Sequence, residues 1–254
     1  RIFDTPNAIV IRNDESQFIT AHDDNTIRIW DRVTGRELQK LTGHQKEIKC
    51  LALSGDGEWL YSGSYDKTIK EWKLADGTCK RTFDKHRDSV TSIALSSDGE
   101  WLYSGSYDKT IKKWNLADGT CKRTFDKHGN SVTSIALSRD GMWLYSGSND
   151  DKIKKWNIAD GECKRTFEGH KNSVMAIALN TDEDRLYSGS RDGSIKVWNL
   201  VDGTCQPTFG QHQESVNAIA LSENEQWLYS VSSDRKIKKW DVATGKCLRI
   251  ITVN

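Results

Sequence analysis

The sequence predicts an all-β fold, a six-bladed β-propeller with four antiparallel strands in each blade. Three observations support this prediction: a strict internal repeat, four short strand-like segments in each repeat, and turn residues between those segments. The chain has 254 residues, of which 36% are hydrophobic and ten are tryptophan. A chain of this length can bury a large core, and propellers of this size form one domain.

The internal repeat is 42 residues long and is marked by six evenly spaced tryptophans: Trp30, Trp72, Trp114, Trp156, Trp198 and Trp240. The segments 59–86 and 101–128 differ at only two positions, 71/113 and 73/115. A period in the low forties is typical of propeller blades or helical repeats. The repeats predict a single domain over 1–254, with blades at about 1–42, 43–84, 85–126, 127–168, 169–210 and 211–254.

The pattern within one repeat favours strands over helices. In the second repeat, the predicted strands are Ile48–Leu53, Trp59–Ser64, Thr68–Trp72 and Thr78–Phe83, rich in β-branched and aromatic residues. The linkers between them contain Asp-Gly and other turn residues and leave no room for a helix. One such sheet cannot bury both faces alone, whereas sheets arranged radially can pack face to face.

Histidine, aspartate and tryptophan recur at fixed places in these repeats, and in this the whole chain resembles the WD40 repeat family. A histidine precedes the first strand in five repeats, an aspartate follows the second strand in all six, and Trp-Asp is intact at Trp30-Asp31 and Trp240-Asp241. The family usually has seven blades. The sequence therefore leaves open whether a six-bladed ring closes or lacks a seventh blade.

The resemblance implies a buried hydrogen-bond relay of His, Ser, Asp and Trp with a structural role, so no catalytic residues are expected. The five sets are His44/Ser62/Asp66/Trp72, His86/Ser104/Asp108/Trp114, His128/Ser146/Asp150/Trp156, His170/Ser188/Asp192/Trp198 and His212/Ser230/Asp234/Trp240. In the first repeat, Ile2 stands where the histidine would be. We expect an incomplete relay there, and blade 1 to be the least stable.

The resemblance also implies a binding face around the central channel. Its candidate residues precede the relay aspartate or begin an inner strand: Asp23, Tyr65, Tyr107, Asn149, Arg191, Ser233, Thr5, Glu47, Lys49, Met175 and Asn217. Tyrosine, arginine and methionine are enriched in protein interfaces. The favoured interpretation is a non-catalytic scaffold or recognition module for protein or peptide partners. The alternatives are a small-ligand or glycan-binding propeller and, given a pKa-perturbed cluster in the channel, an enzyme.

Charged residues give little support for other partners. Lys and Arg number 37 and Asp and Glu 36, so the net charge of +1 favours neither nucleic acid nor a membrane surface. Before the third-strand tryptophan stand Glu71, Lys113, Lys155 and Lys239. We expect these lysines to bury their stems and keep their ammonium groups in water, as a rim without aromatic stacking platforms.

The remaining expectations are absences. No stretch approaches the roughly 20 apolar residues that span a bilayer, and the chain begins without an apolar signal sequence, so a cytoplasmic location is expected. We also expect a monomer. The cysteines recur one per repeat, too dispersed for disulfides or a metal pair. Neither a metal nor a cofactor is expected.

Overall fold

The computed structural model describes residues 6–12, 14–206 and 209–253, and these form six four-stranded antiparallel sheets. The predicted all-β, six-bladed propeller fold is confirmed. The chain divides into two compact units, Arg1–Asp126 and Lys127–Asn254, each with three blades. Among the described residues, no helix is long and apolar enough to cross a membrane.

In the first unit, the strands of each blade follow one another in chain order across the sheet. Blade 1 has β1 (Pro6–Ile11), β2 (Gln17–His22), β3 (Ile27–Asp31) and β4 (Glu37–Leu41). Blade 2 has β5 (Ile48–Leu53), β6 (Trp59–Ser64), β7 (Ile69–Lys73) and β8 (Thr78–Phe83). Blade 3 has β9 (Val90–Leu95), β10 (Trp101–Ser106), β11 (Ile111–Asn115) and β12 (Cys121–Phe125).

The second unit repeats this order. Blade 4 has β13 (Val132–Leu137), β14 (Trp143–Ser148), β15 (Ile153–Asn157) and β16 (Cys163–Phe167). Blade 5 has β17 (Val174–Leu179), β18 (Arg185–Ser190), β19 (Ser194–Asn199) and β20 (Gly210–Gln211). Blade 6 has β21 (Val216–Leu221), β22 (Trp227–Ser232), β23 (Lys236–Asp241) and β24 (Cys247–Thr252).

Two strands differ from the sequence prediction. β7 begins one residue later than predicted because Asp66 accepts hydrogen bonds from the backbone N–H and the hydroxyl of Thr68, which keeps Thr68 in the turn. β20 is assigned only Gly210–Gln211. Pairing with β19 extends beyond these two residues, because Cys205 bridges to Trp198 and the N–H groups of Gln206 and Phe209 donate to the carbonyls of Val197 and Ile195. Residues 207 and 208 lie outside the described part of the chain.

Within each unit, consecutive blades pack face to face. In the first unit, buried Tyr61 and Phe83 of blade 2 share a core cluster with Val90 and Trp114 of blade 3. In the second, Tyr145 of blade 4 lies in a cluster with Trp198 of blade 5. Tyr61 and Tyr145, both on second strands, therefore fill the space between consecutive blades.

Candidate protein-binding surface

Four side chains at the repeated positions are joined by hydrogen bonds inside blade 2. His44 Nδ1 lies 2.7 Å from Asp66 Oδ2, and His44 Nε2 lies 2.7 Å from Ser62 Oγ. The indole Nε1 of Trp72 donates to the same serine oxygen at 2.8 Å. Equivalent bonds join the corresponding residues of blades 3 to 6.

The relay serines are core residues and not part of any accessible site. In blades 2 to 6, the second strand places its serine oxygen 2.7 Å from a histidine ring nitrogen and 2.8 Å from an indole nitrogen that donates to it. All five serines have no solvent-exposed surface: Ser62, Ser104, Ser146, Ser188 and Ser230. In this structure the protein covers these hydroxyls, and their hydrogen bonds within each blade stabilise it.

The charge state of the relay carboxylates follows from their hydrogen bonds. Burial by itself raises the pKa of Asp66, but hydrogen bonds to His44 and Thr68 outweigh it and hold this pKa well below its usual value. Burial also raises the pKa of Asp150, but its hydrogen bonds, above all the one to His128, lower this pKa to about 2. The geometry therefore serves to satisfy buried polar groups.

Blade 1 obtains a histidine from an unexpected position. Ile2 lies outside the described residues, but His22 on β2 places its Nε2 2.7 Å from Thr20 Oγ1. Trp30 Nε1 donates to the same hydroxyl at 2.7 Å. The repeat pattern does not indicate His22. Its signal was present, because residues two apart on a strand face the same side of the sheet.

Tyr65 and Tyr107 directly follow β6 and β10, the second strands of neighbouring blades. Their ring centroids lie 5.9 Å apart and their hydroxyl oxygens 3.5 Å apart. Lys49 Nζ lies 4.6 Å from the centre of the Tyr65 ring and 2.5 Å from Glu47 Oε1. Tyr107 is 37% exposed. We call these four residues, Glu47, Lys49, Tyr65 and Tyr107, the tyrosine surface.

A small pocket of about 350 Å³ lies beside Tyr65. Three lysines line it, Lys46, Lys67 and Lys70, together with Asp66, whose carboxylate is bonded to His44. Lys67 is held in the left-handed region at φ 73° by the turn between β6 and β7. The pocket therefore adds positive charge at the border of the tyrosine surface. The repeat pattern does not indicate a role for these lysines.

The other candidate residues are more scattered. Asp23 is an exposed residue after β2 in the first unit, and Thr5 lies outside the described residues. In the second unit, Asn217 Nδ2 donates to Ser233 Oγ at 3.0 Å, which brings two of the candidates together. The remaining three candidates are Arg191, which is exposed, and Asn149 and Met175, which are partly buried. Within the described part of that unit, no hydrogen bond joins these three to one another.

The lysines before the third-strand tryptophan do not simply extend into water, which corrects the expectation of a solvated rim. Lys113 Nζ lies 3.9 Å from the centre of the Trp101 ring, and Lys155 and Lys239 lie 4.1 Å from the rings of Trp143 and Trp227. Desolvation in these positions lowers the pKa of Lys113 and Lys155. Aromatic rings thus do lie among these lysines, but the lysine ammonium groups of the chain itself cover them.

Comparison with known proteins identifies the repeats. The family model described as "WD domain, G-beta repeat" matches residues 4–31, 35–73, 77–115, 119–157, 161–199 and 203–241. The chain is also 37% identical over 59 residues to Striatin-4 of Homo sapiens and, equally, to Striatin-4 of Mus musculus. Each match spans 23% of this chain and 8% of the relative, so it compares only a small part of either protein.

Proposed function

We propose that this chain, which belongs to the WD40 repeat family, is a protein-binding scaffold that recognises partners through the tyrosine surface. The observation that supports this most is the pairing of Tyr65 and Tyr107 at the loop ends of adjacent blades, with Lys49 over one ring. Tyrosines in such positions offer large rigid contact area with few rotatable bonds. Their backbones are fixed by N–H bonds to the carbonyls of Glu47 and Ser89, both 2.9 Å long.

The charge around the tyrosine surface favours an acidic segment of the partner. Lys46, Lys67 and Lys70 line the pocket beside Tyr65. The Asp66 carboxylate at this site is already occupied by His44 and Thr68, so the lysines are the charges left for a ligand. An aspartate or glutamate side chain of a partner can therefore be neutralised there while an apolar neighbour packs on the tyrosines.

The experiment is affinity capture from a lysate, followed by identification of the bound proteins by mass spectrometry. The variant is Tyr65→Ala/Tyr107→Ala. The control is Met142→Ala/Val201→Ala, which removes two exposed apolar side chains from loops elsewhere. Circular dichroism verifies that both variants fold. Partners retained by the control and lost from the tyrosine variant are the expected result; an identical set on both would refute recognition at this surface.

A further inference from the structure

A second groove lies at the other ends of the same strands in the first unit. It has a volume of about 1230 Å³ and is formed by blades 2 and 3. Its wall includes Trp59, which begins β6, whereas Tyr65 follows the end of that strand. Six strand residues span about 20 Å, so this groove is separate from the tyrosine surface.

The sister blades show what a tryptophan in this position binds. In blades 3, 4 and 6, the ring that begins the second strand carries the ammonium group of a lysine at 3.9–4.1 Å. In each of these blades, that lysine directly precedes the third-strand tryptophan. Blade 2 has the same tryptophan, Trp59, but the lysine is replaced by Glu71. Within the described residues, no cation lies over the Trp59 ring.

Glu71 is a fixed carboxylate at the place where the sister blades have their cation. It is 8% exposed, and Tyr61 donates its hydroxyl to Glu71 Oε1 at 3.0 Å. Arg81 Nε lies 3.7 Å from Oε2. The same guanidinium donates to the carbonyl oxygens of Leu116 at 2.6 Å and Ala117 at 3.3 Å, so it is held against the wall of blade 3.

The groove as a whole has an excess of negative charge. Four carboxylates line it, Asp56, Glu71, Asp98 and Glu100, against the two cations Lys80 and Arg81. An aromatic face beside an excess of carboxylates attracts an ammonium group, because the ring quadrupole and the negative charges act in the same direction. The groove is thus complementary to a cation that the chain itself supplies in three other blades.

We propose that this groove binds a lysine side chain of a partner protein, with its ammonium group over Trp59 and its charge balanced by the surrounding carboxylates. The incoming lysine takes the place that Lys113 occupies over Trp101 in the next blade. This inference does not depend on the tyrosine surface, since it uses different residues at the opposite ends of the strands.

The test uses the full chain labelled with nitrogen-15 tryptophan, and the probe is a glycine–serine peptide with one central lysine. A matched peptide carries norleucine, which keeps the alkyl stem and lacks the charge. We expect the lysine peptide to shift the indole N–H resonance of Trp59, assigned with Trp59→Phe, in a saturable way. The norleucine peptide should bind about tenfold more weakly or worse.

The charge-neutral exchange Glu71→Lys/Lys155→Glu is the decisive variant. Lysine is already accommodated at this position in three sister blades, so the fold is expected to survive. The exchange covers Trp59 with an internal ammonium group and uncovers Trp143, so the peptide response should move from Trp59 to Trp143. A Trp59 response that persists in the exchanged variant, or an equal response to norleucine, would overturn the proposal. Tyr65→Ala/Tyr107→Ala serves as a control and should leave the Trp59 response unchanged.

Discussion

Gly147 provides a direct test of how closely consecutive blades approach one another. A Cβ atom at this position would lie 2.7 Å from Val174 Cγ1 and 3.3 Å from Ile177 Cγ2, both on the inner strand of the next blade. Gly63 and Gly189 have the same relation to Val90 and Val216. Glycine is therefore required for the two blades to approach this closely. Gly147→Ala should push the blades apart or strain their side chains.

The size of the effect can be estimated from two opposing terms. Overpacking of this kind costs typically about 1–3 kcal/mol. Replacing glycine by alanine also lowers the conformational entropy of the unfolded chain, which stabilises the folded state by about 0.4–1 kcal/mol. The expected net loss is about 1–2 kcal/mol, or a fall in Tm of roughly 2–8 °C for a protein of this size.

Thermal and urea unfolding followed by circular dichroism would measure this loss. Gly55→Ala is the matched control, because a Cβ there meets nothing within 4 Å. Val174→Ala removes the clashing methyl groups, so the two changes combined should destabilise less than the sum of the single changes. Equal stability of Gly147→Ala and the wild type, or strict additivity with Val174→Ala, would refute the reasoning.

Two further predictions concern the buried polar groups. The pKa of Asp150 is lowered to about 2 in the folded chain, so its contribution to stability is complete above the usual aspartate value near 3.8 and is lost as pH falls towards 2. Asp150→Asn should therefore lower the free energy of unfolding by about 1–3 kcal/mol at pH 6, and the difference from wild type should shrink in urea titrations between pH 4 and 2; a constant difference would contradict this. His22→Ala should remove the short contact of the Thr20 hydroxyl, which then keeps only the indole N–H of Trp30 and the long contact to the Arg28 carbonyl at 3.5 Å, and should destabilise blade 1 by about 1–3 kcal/mol. Hydrogen exchange of the β2 amides would detect it, and unchanged protection would show that His22 does not support this blade.

The fold was predictable because the repeat contains the same information six times. Each copy combines strand-forming residues with turn residues, and the second strand of blade 2 runs over Trp59–Ser64 as the pattern predicts. Local chemistry is harder to predict. For example, Lys113 covers Trp101 because the two side chains point to the same side of β10 and β11. The spacing of residues in the sequence does not predict this contact.

The candidate surface was predictable only in part, because side-chain contacts between blades depend on how the blades pack. Tyr65 and Tyr107 could be placed after equivalent strands, but their 5.9 Å separation depends on the packing of two blades. His22 was not predicted because the other five repeats have their histidine before the first strand. Its contact with Thr20 comes from strand periodicity within a single blade.

The near identity of the repeats has a consequence for folding kinetics. β6, β10 and β14 have the same six residues, and each pairs in the same register with its third strand. Local pairing energy therefore hardly distinguishes the correct neighbour from its counterpart in another blade. During refolding, hairpins from different repeats compete as exchange partners, and misassembled intermediates are the characteristic trap of such chains.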